Sequence, residues 1–226
     1  MYLVKRSNQI LLLAGAFGVG LFIAPSAATA DKHSDFKRAA GKSKCSLSPY
    51  SGIRSNCRGA ASSGRDKAKN IDCSSLGTRG LRAVLKMNER LLRDAKNKKP
   101  KDSSRISKLK DLIRKNKRDI AKRKRKAEKR ANKAQAAAVL FQRAHTVMGG
   151  PLDSRMQGDV SNAFNKARGQ SDPGKKAKLM RKATQMSAWM GTIKGKKRSF
   201  RNNLDSRRRA AQGARKLCKK AARGDI

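Results

Sequence analysis

Acidic residues are scarce in this chain: 15 Asp and Glu stand against 58 Lys and Arg in 226 residues, a formal net charge of +43. A compact state so unbalanced repels itself, and an anionic polymer or surface relieves that repulsion. Aromatic residues are scarce too. Beyond residue 30 they are Phe36, Tyr50, Phe141, Phe164, Trp189 and Phe200, too few for the aromatic-rich core of a large sandwich or an α/β enzyme. His33 and His145 are the only near-neutral bases, and neither Gly-x-Ser-x-Gly nor His-Glu-x-x-His occurs. Carboxylates that could work as an acid and base pair are missing as well, since Asp35, Asp153 and Asp159 stand apart. An enzyme is therefore not expected, and nothing calls for a cofactor. No Asn-x-Ser/Thr acceptor is present either.

What is present begins with an export pattern. Lys5 and Arg6 precede the uncharged run Ile10 to Ile23, and Pro25 and Ala28-Thr29-Ala30 follow, the order of a secretory signal cleaved before Asp31. The alternative is an uncleaved membrane anchor. The run holds Gly15, Gly18 and Gly20 and falls short of the roughly 20 residues that span a bilayer. All four cysteines, Cys45, Cys57, Cys73 and Cys218, lie beyond residue 30, an even number suited to a compartment where disulfides persist. Three pairings exist. Chain order favours Cys45 with Cys57, closing a local loop, and Cys73 with Cys218, one before the first recognisable helix and the other in the last. Zinc is the competing reading, but the cysteine gaps match no usual ligand spacing and only two histidines could complete a set.

Residues 31–75 are rich in Ser, Gly, Lys and Arg without periodicity, and read as an irregular segment ordered by its cysteines. From Leu81 the pattern turns helical. Leu81, Val84, Leu85, Asn88, Leu91, Leu92 and Ala95 form one face, and the helix stops near Lys96. After a connection through Pro100, Ser103 or Ser104 can cap a second helix. That helix carries a seven-residue repeat: Ile106, Ile113, Ile120, Ala127, Ala134, Phe141 and Met148 in one phase, with Leu109, Asn116, Arg123, Arg130, Ala137 and Ala144 in the other. Gly149-Gly150-Pro151 ends it. Residues 152–226 read as a basic C-terminal bundle of three helices, with a stop at Gly169, a cap at Asp172 ahead of Pro173, and a break near Gly191 to Gly195. Met180, Met186 and Met190 recur at helical spacing and read as core. With no credible strand, the expected class is all-α: a coiled-coil hairpin over residues 78–148 followed by that bundle.

An antiparallel hairpin turning near Asp102 pairs residues whose numbers sum to about 204. Asn88 then faces Asn116, Ala95 meets Leu109, Leu92 meets Leu112 or Ile113, and Leu85 meets Ile120. Past Ile120 this register leaves the second helix without a partner. The stretch from Lys122 to Lys133 is thus expected to project as a bare cationic rod.

Charge is densest there. Arg114 to Lys133 holds twelve Lys or Arg against Asp119 and Glu128. The residues expected to bind a polyanion are Lys122, Arg123, Lys124, Arg125, Lys126, Lys129, Arg130 and Lys133, joined by Arg207, Arg208 and Arg209. Few stacking aromatics and no groove-reading module make sequence-specific readout unexpected. Nucleic acid is one partner of this class and an anionic envelope polymer another. Two further readings stand beside it: a cationic protein of anionic membrane surfaces, using Leu179 to Ile193 with Trp189, and a structural protein that self-associates through its heptads. Leu76-Gly77-Thr78-Arg79-Gly80 has the outline of a nucleotide-clamping Gly-x-x-Gly loop but lacks the surrounding strands, so it reads as a flexible lead into a helix. Phe36 stands where a phosphate-binding loop ending at Gly41-Lys42-Ser43 needs glycine, which removes that motif. A nuclear-import reading of Lys122 to Lys126 conflicts with export. N-terminal sequencing of the mature protein should begin at Asp31, whereas an intact Met1 in a membrane fraction would establish the anchored form.

Overall fold

The computed structural model describes residues 31–100 and 102–226, so the export segment expected over residues 1–30 lies outside the described residues. The described chain is all-α, with no strand among its residues. The helices are α1 (Lys32–Ala40), α2 (Ser51–Ala68), α3 (Arg79–Asn97), α4 (Ser103–Val147), α5 (Gly150–Arg168) and α6 (Pro173–Arg223), with short 3-10 turns at Lys44–Leu47 and Ser74–Leu76. No helix among the described residues is long and apolar enough to cross a membrane.

Two helices organise the rest. α4 and α6 run side by side in opposite directions: Arg208 donates to Gln142 at one level, and Cys218 clusters with Ala127 and Ala131 at another. The seam between them is rich in alanine, including Ala127, Ala134, Ala137 and Ala144 on α4 and Ala211 and Ala221 on α6, all buried. α2 lies on α4, α5 and α1 lie on α6, and α3 folds back along α4. Where these elements converge, Phe36, Leu47, Phe141, Met148, Leu152, Met156, Ile193 and Leu204 form the main core. Met186 is buried in it, and Met190 packs against it, in keeping with core rather than binding methionines.

The segment expected to be irregular is instead largely helical. α2 places Ile53, Cys57, Ala60, Ala61, Gly64 and Ala68 on one face at spacings of three and four, so its inner surface is built of small residues. Gly64 makes the closest approach there. A Cβ at this position would sit 3.0 Å from Phe141 Cε1 and 3.3 Å from Leu140 Cβ, so any larger residue would push the Phe141 ring or α2 outward by a few tenths of an ångström.

The C-terminal region also departs from expectation, with two helices rather than three. α6 continues through Gly191 and Gly195, which are exposed and lie on its open side. Glycine costs roughly 1 kcal/mol each in such a position. Burying Met186, Ile193 and Leu204 on the opposite side contributes about 1.5–3 kcal/mol apiece, which wins. Asp172 caps this helix by accepting from the Lys175 N–H at 2.9 Å. At α4 the cap is Asp102, accepting from the Arg105 N–H at 2.9 Å, and not Ser103 or Ser104.

The hairpin register is close to that expected. Asn88 is buried on α3 with Leu85, Leu91, Leu92 and Ala95 half-buried on the same helix, Leu109 and Ile113 are buried on α4, and Lys117 pairs with Glu89 at 3.2 Å. The bare rod beyond Ile120 is not found. Residues 70–78 and the end of α6 cover the inner side of α4 there, where Cys73, Leu76, Ala127, Ala131, Cys218 and Ala221 form a second small core. The disulfides are Cys45–Cys57 and Cys73–Cys218, as chain order favours, although Cys73 precedes α3, the third helix. Nor is Gly77 a flexible lead. The backbone oxygen of Ile226 accepts from the N–H groups of Thr78 and Arg79 at 2.7 and 3.1 Å, and packs so tightly on Gly77 that a Cβ would collide with it.

One ion pair crosses the interior. Lys197, 5% exposed on α6, bonds to Asp153 in the first turn of α5. Removing one partner of a buried pair strands the other, at a cost of about 3–5 kcal/mol when the stranded charge stays buried. Asp153 is partly open to water and Lys197 is not. Asp153→Asn should therefore lower thermal stability distinctly more than Lys197→Met, and the reverse order in thermal denaturation would contradict the assignment.

Candidate polyanion-binding surface

Helical geometry divides the basic residues of α4 into two groups. Residues 118, 122, 125 and 129 follow the i, i+4, i+7, i+11 pattern of a single face, and 115, 126 and 133 flank the same line. Lys115, Arg118, Lys122, Arg125, Lys126, Lys129 and Lys133 are all exposed. Five of them border an open groove of about 420 Å³ along the helix, with Ala121 at its side and no carboxylate in its lining. From Lys115 to Lys133 the strip is about 27 Å long at ~1.5 Å per residue. None of its seven cations is held by a carboxylate among the described residues. The acids nearest the strip on the helix are Asp119 and Glu128, on its flanks, and Asp111, one turn before Lys115, which pairs with Arg114 at 3.7 Å.

The other group turns inward. Arg123 donates to the carbonyl oxygen of Gly77 at 2.9 Å and reaches that of Ser75 at 3.5 Å, while Arg130 bonds to the carbonyl of Asp72. Both anchor the segment that carries Cys73. Lys124, between the two faces, is half-buried. The basic run thus does not present charge equally all round the axis. Lys122, Arg125, Lys126, Lys129 and Lys133 stay free, and Arg123 and Arg130 are engaged in holding the fold.

Arg207, Arg208 and Arg209 do not join the strip. Arg208 lies level with Gln142, some 18 residues along α4 from the strip's middle, or roughly 27 Å. Arg208 and Arg209 bond to Asp205 at 2.6 and 2.5 Å. Partial burial would raise the Asp205 carboxyl, but the Arg209 hydrogen bond and the charges of Arg208 and Arg209 hold it below the usual carboxylate range. Arg207 donates to Asn203 at 2.9 Å and opens onto a separate cleft. Burial, reinforced by the charges of Arg201 and Arg208 against the pull of Asp205, lowers His145, so it adds no cation near neutral pH.

Lys115 and Arg118, part of the free strip, were not singled out in sequence. Their signal was the spacing of three and four to Lys122, legible once a solvent face is separated from a packed one. Among the described residues no cluster of His, Cys, Asp or Glu could hold a metal ion. No family model, curated protein or solved structure matches the chain.

The two groups should respond differently to mutation. Arg123→Gln combined with Arg130→Gln removes charged donors from backbone carbonyls and should cost about 1–3 kcal/mol of stability. Lys122→Gln with Lys126→Gln removes exposed charge from a crowded cationic face, and chemical denaturation should show stability unchanged or slightly raised. Equal losses for both pairs would refute the division.

Proposed function

We propose that the chain is an exported, disulfide-linked helical protein that binds an anionic polymer without sequence preference, along the outer strip of α4. No catalytic step belongs to this reading. The observation that carries it is the alignment of Lys115, Arg118, Lys122, Arg125, Lys126, Lys129 and Lys133 on one exposed face with no internal counter-charge. A line of cations about 27 Å long matches roughly eight nucleotides of one strand at ~3.4 Å each. The absence of any aromatic in α4 before Phe141 favours contact with phosphates over stacking on bases. Two disulfides suit an oxidising compartment outside the cytosol, where nucleic acid and anionic envelope polymers both present such charge.

The membrane-surface reading loses its apolar face: Ala183, Met186 and Ile193 are buried, and Trp189 packs on the main core with its ring 4.7 Å from that of His33. Self-association has one observation in its favour. Val84 and Met87 on α3 and Leu112 on α4 are about half exposed, uncovered by any described residue.

Replacing Lys122, Arg125, Lys126 and Lys129 by Gln keeps helix propensity and deletes four charges. Duplex DNA affinity, measured by fluorescence anisotropy at several salt concentrations, should fall at least tenfold at low salt, alike for unrelated sequences. The logarithmic salt slope should become shallower by roughly three to four units. An unchanged slope would remove the strip as the binding element, losses confined to anionic vesicles would move the function to membranes, and binding tied to dimer formation in sedimentation would favour self-association.

A further inference from the structure

A second cationic site lies on another face and differs in kind from the strip. Between α2, the 44–47 turn and α6 is a cleft of about 550 Å³, within the usual range for small-molecule sites. Lys44, Arg58, Arg65 and Arg207 line it, and no carboxylate does. Among the described residues their side-chain partners are neutral: Arg58 donates to the Ser46 hydroxyl at 2.6 Å and Arg207 to the Asn203 amide oxygen at 2.9 Å. Next along α6, Arg208 and Arg209 share Asp205, so the cleft retains charge that its neighbours have neutralised.

Its floor is apolar. Phe141, Phe200 and Leu204 form it, and a second hollow of about 500 Å³, sharing Arg65, Phe141 and Arg207, continues it along alanines of α6. The strip on α4 has no such floor. The walls are fixed: the Cys45–Cys57 disulfide ties the 44–47 turn to α2, and Gly64 admits the Phe141 ring directly beneath α2. Lys44 adopts φ 54°, the left-handed region that a lysine seldom occupies. Such conformations persist where the surroundings enforce them and collect at ligand clamps.

We propose that this cleft binds a compact tetrahedral oxyanion ester, a phosphate or sulfate carried on a flat apolar group. The ester anion sits among Arg58, Arg65 and Arg207, whose guanidinium forks match its oxygens, with the Lys44 ammonium beside them, and the apolar body covers the partly exposed Phe200 above Phe141. The site is independent of the polymer-binding strip and stands whether or not that reading holds.

Isothermal titration of the unaltered mature protein with phenyl phosphate, phenyl sulfate, inorganic phosphate and inorganic sulfate at fixed ionic strength tests it. Either ester should bind at least tenfold more tightly than its inorganic anion, and the tighter of the two identifies the preferred anion. Arg65→Gln with Arg207→Gln should weaken that binding tenfold or more, and the four-residue Gln variant of α4 should leave it unchanged. Amide shift mapping on the unaltered protein removes any dependence on how the variant folds. Ester-induced changes should concentrate at residues 58–65 and 200–207. Equal affinity for esters and inorganic anions, loss of binding in the α4 variant, or shifts spread over residues 115–133 would overturn the proposal.

Discussion

Self-repulsion is the constraint on which this fold depends. With a net charge of +43 and few large apolar residues, the chain must hold long helices together while keeping their cations apart. The α4–α6 seam does this with alanine, whose small side chain brings helix axes close and leaves long basic side chains room to reach water. Each buried alanine contributes little, so cross-links matter. In the chain-entropy account, a bond between Cys73 and Cys218, 145 residues apart, constrains the unfolded state by about 5 kcal/mol, against about 3 kcal/mol for Cys45 and Cys57. The longer bond closes the second small core, where large apolar side chains are fewest.

The same constraint sorts arginine from lysine. Where α4 needs partners, Arg123 and Arg130 deliver charged donors to backbone carbonyls of residues 72–77, a task suited to a planar fork. Where it faces water, lysines dominate and keep their charge uncompensated. Acids are used sparingly: Asp102 and Asp172 cap helices, Asp153 meets Lys197, and Asp205 serves two arginines. Among the cations left without an acid are those on the outer line of α4 and in the cleft beside α2.

The heptads of α4 were legible because isoleucine, leucine and phenylalanine mark them, and the near-correct register followed from the short turn at Asp102. α2 was not legible because its inner face consists of Cys57, Ala60, Ala61 and Gly64, residues that carry no hydrophobic contrast against serine and glycine. In α6 the error lay in treating Gly191 and Gly195 as stops. The spacing of Met186, Met190, Ile193, Lys197, Phe200 and Leu204 continues unbroken across them, and periodicity outweighs two exposed glycines. The bare rod failed for a different reason: a register drawn from two helices cannot show a third element, and Cys73 with Cys218 brings α6 onto the uncovered stretch. The exposed cations of the proposed strip lie within the run that sequence charge singles out, but the face they share is legible only once the packed side of α4 is known.

Lysine acetylation footprinting by mass spectrometry, with and without duplex DNA, addresses the central claim most directly, since it reads individual side chains of the unaltered protein. The account predicts protection of Lys115, Lys122, Lys126, Lys129 and Lys133, with Lys86 on α3 and Lys178 on α6 modified as fast as in free protein. Uniform protection of exposed lysines, or protection centred away from α4, would contradict it.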